Sequence, residues 1–219
     1  MQQGCFDGRF RAVLFDMDGV LIDSTGLDER SWLRWAAERG MKDFDPASAH
    51  GRRTFDTLRL IAPELDPYAE TLRFEESNEF DCEGIIVFPG VLELINGLPE
   101  RQWAIVTSCS ERVMRHRLGF AGVPVPAQIV TGDRVEHGKP DPESYRRGAA
   151  QLGFDPSECL VVEDSPNGIR AGKDAGCSVL AVASSHEREE LQAADWIVGS
   201  IAEIAVTVLE DGWLRIATK

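Results

Sequence analysis

Apolar residues along this chain follow two spacings, and the change from one to the other divides it. Arg11 to Phe15 is a short apolar run without alternation, the pattern of a parallel strand covered on both faces. From Ser24 to Arg39 the spacing turns helical. Leu27, Trp32, Trp35 and Ala36 share a face, so the tryptophans read as helix packing, and Gly40 follows as a stop. Two more helices are predicted, Thr54 to Ile61 and Asp66 to Phe80, punctuated by Pro63 and Pro67, with no strand between Asp43 and Cys82. Ile85 to Gly90 then leads into a helix through Leu92, Leu94 and Ile95.

From there strand and helix alternate. Trp103–Val106, Gln128–Val130, Leu160–Val162, Val179–Val182 and Trp196–Val198 read as strands, the last of them closing the pattern. Glu111–Leu118, Pro142–Leu152, Ile169–Ala175 and Glu187–Ala193 read as helices. Repeated strand-helix units predict an α/β fold with a right-handed, doubly wound parallel sheet. The helical block interrupts it after the first strand, which gives a core of residues 1–23 and 88–219 and an inserted helical cap of residues 24–87.

In such sheets ligands bind beyond the carboxyl ends of the strands. Those ends carry Asp16 and Asp18, Thr107 and Ser108, the stretch Thr131 to Lys139, and Glu163 and Asp164. Each has an ordinary explanation alone: a surface turn, a helix cap, a solvated turn, acids favouring a helix N-terminus. Their occurrence in order at four strand ends points to chemistry. Three or four carboxylates at one sheet edge repel unless neutralised, and an all-oxygen set suits Mg2+ shared with a phosphate. Asp16 can then attack phosphorus while Asp18 protonates the leaving alkoxide and later activates water. Thr107, Lys139 and backbone N–H groups near Met17 and Ser108 can stabilise the phosphoryl oxygens.

The segments Asp16-Met17-Asp18-Gly19-Val20, Ile105-Val106-Thr107-Ser108, Gly138-Lys139-Pro140-Asp141-Pro142 and Val162 to Ile169 resemble the four motifs of the haloacid dehalogenase-like hydrolase superfamily. That resemblance implies a Rossmann-like core, a helical cap inserted after the first motif, Mg2+ and an aspartyl-phosphate intermediate. By position it makes Asp16 the nucleophile, Asp18 the acid/base, and Thr107 and Lys139 the phosphate ligands. Asp16, the Asp18 backbone carbonyl and Asp164 would hold the metal, with Glu163 directly or through water. Dehalogenases of the superfamily lack the metal and the second aspartate, so the acids argue for phosphoryl chemistry.

His50 to Thr57 is similar to the cap segment of phosphatases acting on glycerol 3-phosphate, 2-deoxyglucose 6-phosphate and other small sugar phosphates. Arg52 and Arg53 could offer donor forks to substrate hydroxyls or a second anion, beside Gly51, while His50 reads as a structural hydrogen-bonding residue. The alternative is a β-phosphoglucomutase-like phosphomutase. There the first cap helix carries a proton-gating histidine where this chain has Asp28, a departure that favours hydrolysis. A non-catalytic phosphate-binding protein on the same scaffold would commonly lose Asp16, Asp18 or Lys139, and all three are present. The physiological substrate and a task for Asp23 do not follow from the sequence.

Composition narrows the partners. A formal net charge of −14 over 219 residues disfavours nucleic acid and anionic membranes, so the expected partner is a small phosphorylated metabolite. No apolar run reaches the length of a membrane span and the first residues do not read as a targeting segment, which predicts a cytoplasmic protein, a monomer or weak dimer. The five cysteines are scattered without a CxxC pair and read as reduced thiols, with Cys109 beside the phosphate loop.

Overall fold

The computed structural model describes residues 6–78 and 80–219. In chain order the elements are β1 (Asp7–Phe10), β2 (Ala12–Phe15), β3 (Ile22–Asp23), α1 (Thr25–Glu38), α2 (Thr54–Ile61), α3 (Pro67–Asn78), β4 (Ile86–Val87), α4 (Val91–Asn96), β5 (Trp103–Val106), α5 (Glu111–Ala121), β6 (Ile129–Val130), α6 (Glu143–Leu152), β7 (Cys159–Glu163), α7 (Pro166–Ala175), β8 (Ser178–Val182), β9 (Trp196–Val198), β10 (Ile204–Val208) and β11 (Leu214–Thr218). Six of these strands form one parallel sheet in the order β6-β5-β2-β7-β8-β9. Helices flank it in a Rossmann-like arrangement.

The sheet explains why β2 lacks alternation. Successive side chains point to opposite faces. Val13 and Phe15 join Ile105, Leu160 and Leu180 in one core, while Ala12 and Leu14 join Ala104, Val161 and Val179 in the other. With both faces covered, every position of β2 is buried.

Between β3 and β4 the chain makes α1, α2 and α3, and the antiparallel pairing of Ile22 with Val87 and Asp23 with Ile86 brings the two ends of this insert together. The insert has its own apolar cluster of Trp32, Trp35, Ala36, Ala49, Leu58 and Ala62. Trp32 packs on Phe74 with ring centroids 4.4 Å apart, so the tryptophans do serve helix packing. Asp23, through Oδ1, accepts the Thr25 N–H at 3.1 Å and turns the chain into α1.

Two expectations fail. Glu187–Ala193 forms turns instead of a helix, with N–H bonds from Glu190, Leu191 and Ala194 running back only three residues. A seven-residue segment scarcely exceeds the cost of helix nucleation. Just beyond it, Asp195 is held by Val179 N and Lys173, which draws the chain back into the sheet. Nor is Trp196–Val198 the last strand. β10 and β11 form a hairpin, and β1 pairs with β11, giving a three-stranded antiparallel sheet that was not expected. Leu214 and Ile216 face the core while Arg215 between them pairs with Asp7 in solvent, so a half-covered strand carries a weaker apolar signal than a buried one.

Among the described residues no helix is long and apolar enough to cross a membrane. Cys82, Cys109, Cys159 and Cys177 are free thiols, while Cys5 and the rest of the N-terminal stretch lie outside the described residues.

Candidate active site

Parallel register aligns the strand ends. Phe15 pairs with Ile105 on one side and Val162 on the other, so Asp16 follows directly beside Val106 and Glu163. The Asp16 N–H still donates to Val162 O at 3.0 Å, and Thr107 N to Val130 O at 2.9 Å, so both residues sit at the last rung of the ladder. Asp16, Thr107, Lys139, Glu163 and Asp164 are all buried there.

Lys139 ties the acids together. Its Nζ donates to Asp16 Oδ1 at 2.8 Å, Glu163 Oε1 at 2.7 Å and Val106 O at 3.1 Å. Burial opposes the ammonium, but the charges of Asp16 and Glu163 outweigh it and raise its pKa. Burial drives the Asp16 carboxyl well above the usual carboxylate range; Lys139 pulls it back while Glu163 and Asp164 add repulsion.

The two acids at the end of β7 differ. Glu163 is saturated: Lys139 and Tyr145 donate to Oε1, and the N–H groups of Asp164 and Ser165 with the Ser165 hydroxyl donate to Oε2. Burial works against its ionisation, yet Lys139 and these donors hold its pKa down. Only glycine fits at position 168, since a Cβ there would come within 1.7 Å of Glu163 Oε1. Asp164 is incomplete. Its Oδ2 accepts from Ser185 Oγ and lies 3.1 Å from His50 Nε2, but its buried Oδ1 has no hydrogen-bond partner among the described residues. Burial raises its carboxyl despite these contacts. Gly19, with φ of +81°, passes so close that a Cβ would meet Asp164 Oδ2 at 1.9 Å.

Asp16, Glu163 and Asp164 can each present an oxygen within 4.8 Å of the others. This all-oxygen set with one orphaned buried oxygen fits a hard dication such as Mg2+. An unpaired buried carboxylate oxygen is otherwise expensive.

Asp18 stands apart from this cluster. Its Oδ1 accepts from Ser24 Oγ at 2.6 Å and from Arg117 Nη1 at 2.8 Å, and Arg117 Nη2 reaches Asp28 Oδ1 at 2.6 Å. Arg117 was missed by sequence reasoning. The available signal was its place beside Met114 and Leu118, where a charge on the buried face of α5 needs a partner. Burial raises the Asp28 carboxyl against the pull of Arg117.

Asp16, Asp18, Thr107 and Ser108 open into a cavity of about 720 Å³ whose far wall is the insert, with His50, Gly51, Arg52, Trp32 and Phe74. Ser108 Oγ donates to Gly51 O at 3.1 Å. Arg53 lies outside the cavity. Its guanidinium donates to both Asp56 oxygens and to the carbonyls of Gly132, Val135 and Glu136, which leaves no donor for a substrate. Thr107 Oγ1 and Cys109 Sγ are 3.2 Å apart; burial, then the Asp18 charge, pushes the Cys109 thiol well up. Burial lowers the His50 imidazole, but the Asp164 hydrogen bond and surrounding acids outweigh it and bring its pKa to about 9.

The sequence signature of haloacid dehalogenase-like hydrolases matches residues 10–176, which span all these strand-end residues. The chain belongs to the haloacid dehalogenase-like hydrolases. This family is generally metal-dependent. The hydrolase is 40% identical over 210 residues to hexitol phosphatase A of Escherichia coli (strain K12), covering 93% of this chain and 97% of that one. It is 32% identical over 198 residues to glycerol-1-phosphate phosphohydrolase 2 of Saccharomyces cerevisiae, covering 84% and 79%. Its fold is similar to that of CbbY from Rhodobacter sphaeroides in complex with phosphate, with a TM-score of 0.73, 26% identity, and coverage of 89% and 96%.

Proposed function

We propose that this hydrolase is a Mg2+-dependent phosphatase of small sugar or polyol phosphate monoesters, working through an aspartyl-phosphate on Asp16. One observation carries the reading: Asp16, Lys139, Glu163 and Asp164 converge at the strand tips below a cavity that also receives Asp18 and Thr107. The phosphatase relatives support phosphoric monoester hydrolysis and the sugar or polyol class. Bound Mg2+ would be held by Asp16, the Asp18 backbone carbonyl and Asp164, with the saturated Glu163 acting on it only from behind Lys139, and would neutralise charge on the phosphoryl oxygens.

In the first step Asp16 attacks phosphorus, the ester P–O bond breaks, and Asp18 gives its proton to the departing alkoxide. In the second, the Asp18 carboxylate takes a proton from water as that water attacks phosphorus, releasing inorganic phosphate and regenerating Asp16. Lys139 and Thr107 offset the charge on the equatorial oxygens, with Ser108 at the same loop. Glu163, fully hydrogen-bonded, serves chiefly to fix Lys139.

Residues 24–87 act as a cap hinged at the β3–β4 ribbon, within a core of residues 1–23 and 88–219. Closure shields the first transfer from bulk water. Arg52 and Gly51 take the substrate's polar end, while Arg53 latches the cap to the core loop. Asp28, which pairs with Arg117, takes the sequence position that the resemblance gives to the phosphomutase histidine, and this supports hydrolysis over transfer.

The test is release of inorganic phosphate from glucose 1-phosphate, glucose 6-phosphate, deoxyglucose 6-phosphate and glycerol 3-phosphate. Release should require Mg2+, stop with EDTA, and vanish in Asp16→Asn. Turnover persisting without metal sinks the mechanism, and interconversion of β-glucose 1-phosphate and glucose 6-phosphate faster than release establishes the mutase instead.

A further inference from the structure

Asp164 belongs to a second group of ligand atoms, of different chemistry. His50 from the insert and His186 from the turn after β8 can each present a ring nitrogen within 4.8 Å of the other and of an Asp164 oxygen. The two imidazoles lie 5.0 Å apart between ring centroids at 68°. Three separate segments therefore meet at one carboxylate.

Local bonds prepare this group. Ser184 Oγ donates to Gly19 O, which anchors the turn, and Ser185 Oγ lies 2.9 Å from His186 Nδ1 while donating to Asp164 Oδ2. That contact at Nδ1 fixes the His186 ring beside Asp164. His50 Nε2 already faces Asp164 Oδ2 at 3.1 Å. Asp164 is 1% exposed, and its Oδ2, in contact with both His50 and Ser185, ties the insert to the turn after β8 at one buried carboxylate.

We propose that His50, Asp164 and His186 form a binding site for a transition-metal dication such as Zn2+, joining the insert to the core. Two imidazoles and a carboxylate suit Zn2+ or Co2+ and are poor ligands for Mg2+, which prefers oxygen. His50 and His186 line the cavity, which leaves a fourth position to water.

The test reads binding directly and does not depend on the phosphatase reading. Zn2+ is titrated calorimetrically into the full chain and the variants, and Co2+ absorption reports imidazole ligation. His50→Ala and His186→Ala should each weaken Zn2+ binding by at least roughly 10–100-fold, the cost of losing even a supporting group of a metal ligand, and lose the Co2+ signature. Asp16→Asn, which alters only the oxygen cluster, should retain both. NMR of the unaltered protein should show Zn2+ shifting the imidazole resonances of His50 and His186 together. Binding that survives His186→Ala but not Asp16→Asn, or Zn2+ that leaves both imidazoles unshifted, overturns the proposal.

Discussion

Among the described residues, carboxylates are buried in two places and treated differently. Glu70, on α3 of the insert, is 4% exposed and completely paired. Trp35 Nε1 donates to Oε2 at 3.1 Å, Arg39 donates to the same oxygen, and Arg73 donates to Oε1 at 2.7 Å. Burial alone would raise its pKa, but these donors bring it below the ordinary value of 4.5. At the strand tips one lysine serves the carboxylates of Asp16 and Glu163, Asp16 is driven upward, and Asp164 keeps an oxygen without a partner. A finished ion pair holds helices together; an unfinished one is fit to receive a ligand. Surrounding donors, more than burial itself, separate the two roles.

The sharpest way to test that contrast is to remove a carboxylate from the reacting side. Asp18→Asn keeps the shape and an acceptor for Ser24 and Arg117 but cannot shuttle a proton. Phosphate release should fall by roughly 10²–10⁴-fold, the usual range for a general acid-base group. Single-turnover measurements should show the loss in the chemical step. An Asp18→Asn enzyme with unchanged kcat would assign the proton transfer elsewhere.

A cation should distinguish the clusters next. Mg2+ at about 100 times its dissociation constant contributes about 2.7 kcal/mol by mass action, or a rise of about 5–10 °C in melting temperature for a domain of this size. The shift should be lost in Asp164→Asn and kept in Glu70→Gln. Equal shifts in both variants would mean that the orphaned oxygen at Asp164 is irrelevant to the metal.

The two clusters also differ in how far they could be read from sequence. Asp16, Asp18, Glu163 and Asp164 were legible because buried strands leave unbroken apolar runs, and a polar residue just past such a run has a known place in a parallel sheet. Glu70 was not, since its partners Trp35 and Arg39 come from another helix whose packing only the fold supplies. Arg117 falls between these cases: its helix was readable, but its pairing with Asp18 and Asp28 depends on how α5 meets α1. Arg53 failed for the same reason, its five donors being consumed by Asp56 and a core loop far away in sequence. The hairpin β10–β11 escaped notice because only half of each strand is covered, and the Glu187–Ala193 helix was overruled by the side chains that draw Asp195 into the sheet.

Glu70 offers the subtlest test, because its role concerns stability alone. Glu70→Gln weakens charge-assisted bonds to Arg39 and Arg73 and should cost about 1.5–3 kcal/mol at neutral pH while leaving phosphate release intact. The sign of its pH dependence follows from the lowered pKa. The native state favours the ionised carboxylate, so its stabilisation is fully present above the unfolded value of 4.5 and is lost as pH falls through the lower folded value. The gap in melting temperature between the unaltered protein and Glu70→Gln should therefore be constant from neutral pH down to about 5 and close below 4.5. A gap that widens on acidification would show that Glu70 is strained in its pairing, and would erase the distinction between the completed cluster in the insert and the incomplete one at the strand tips.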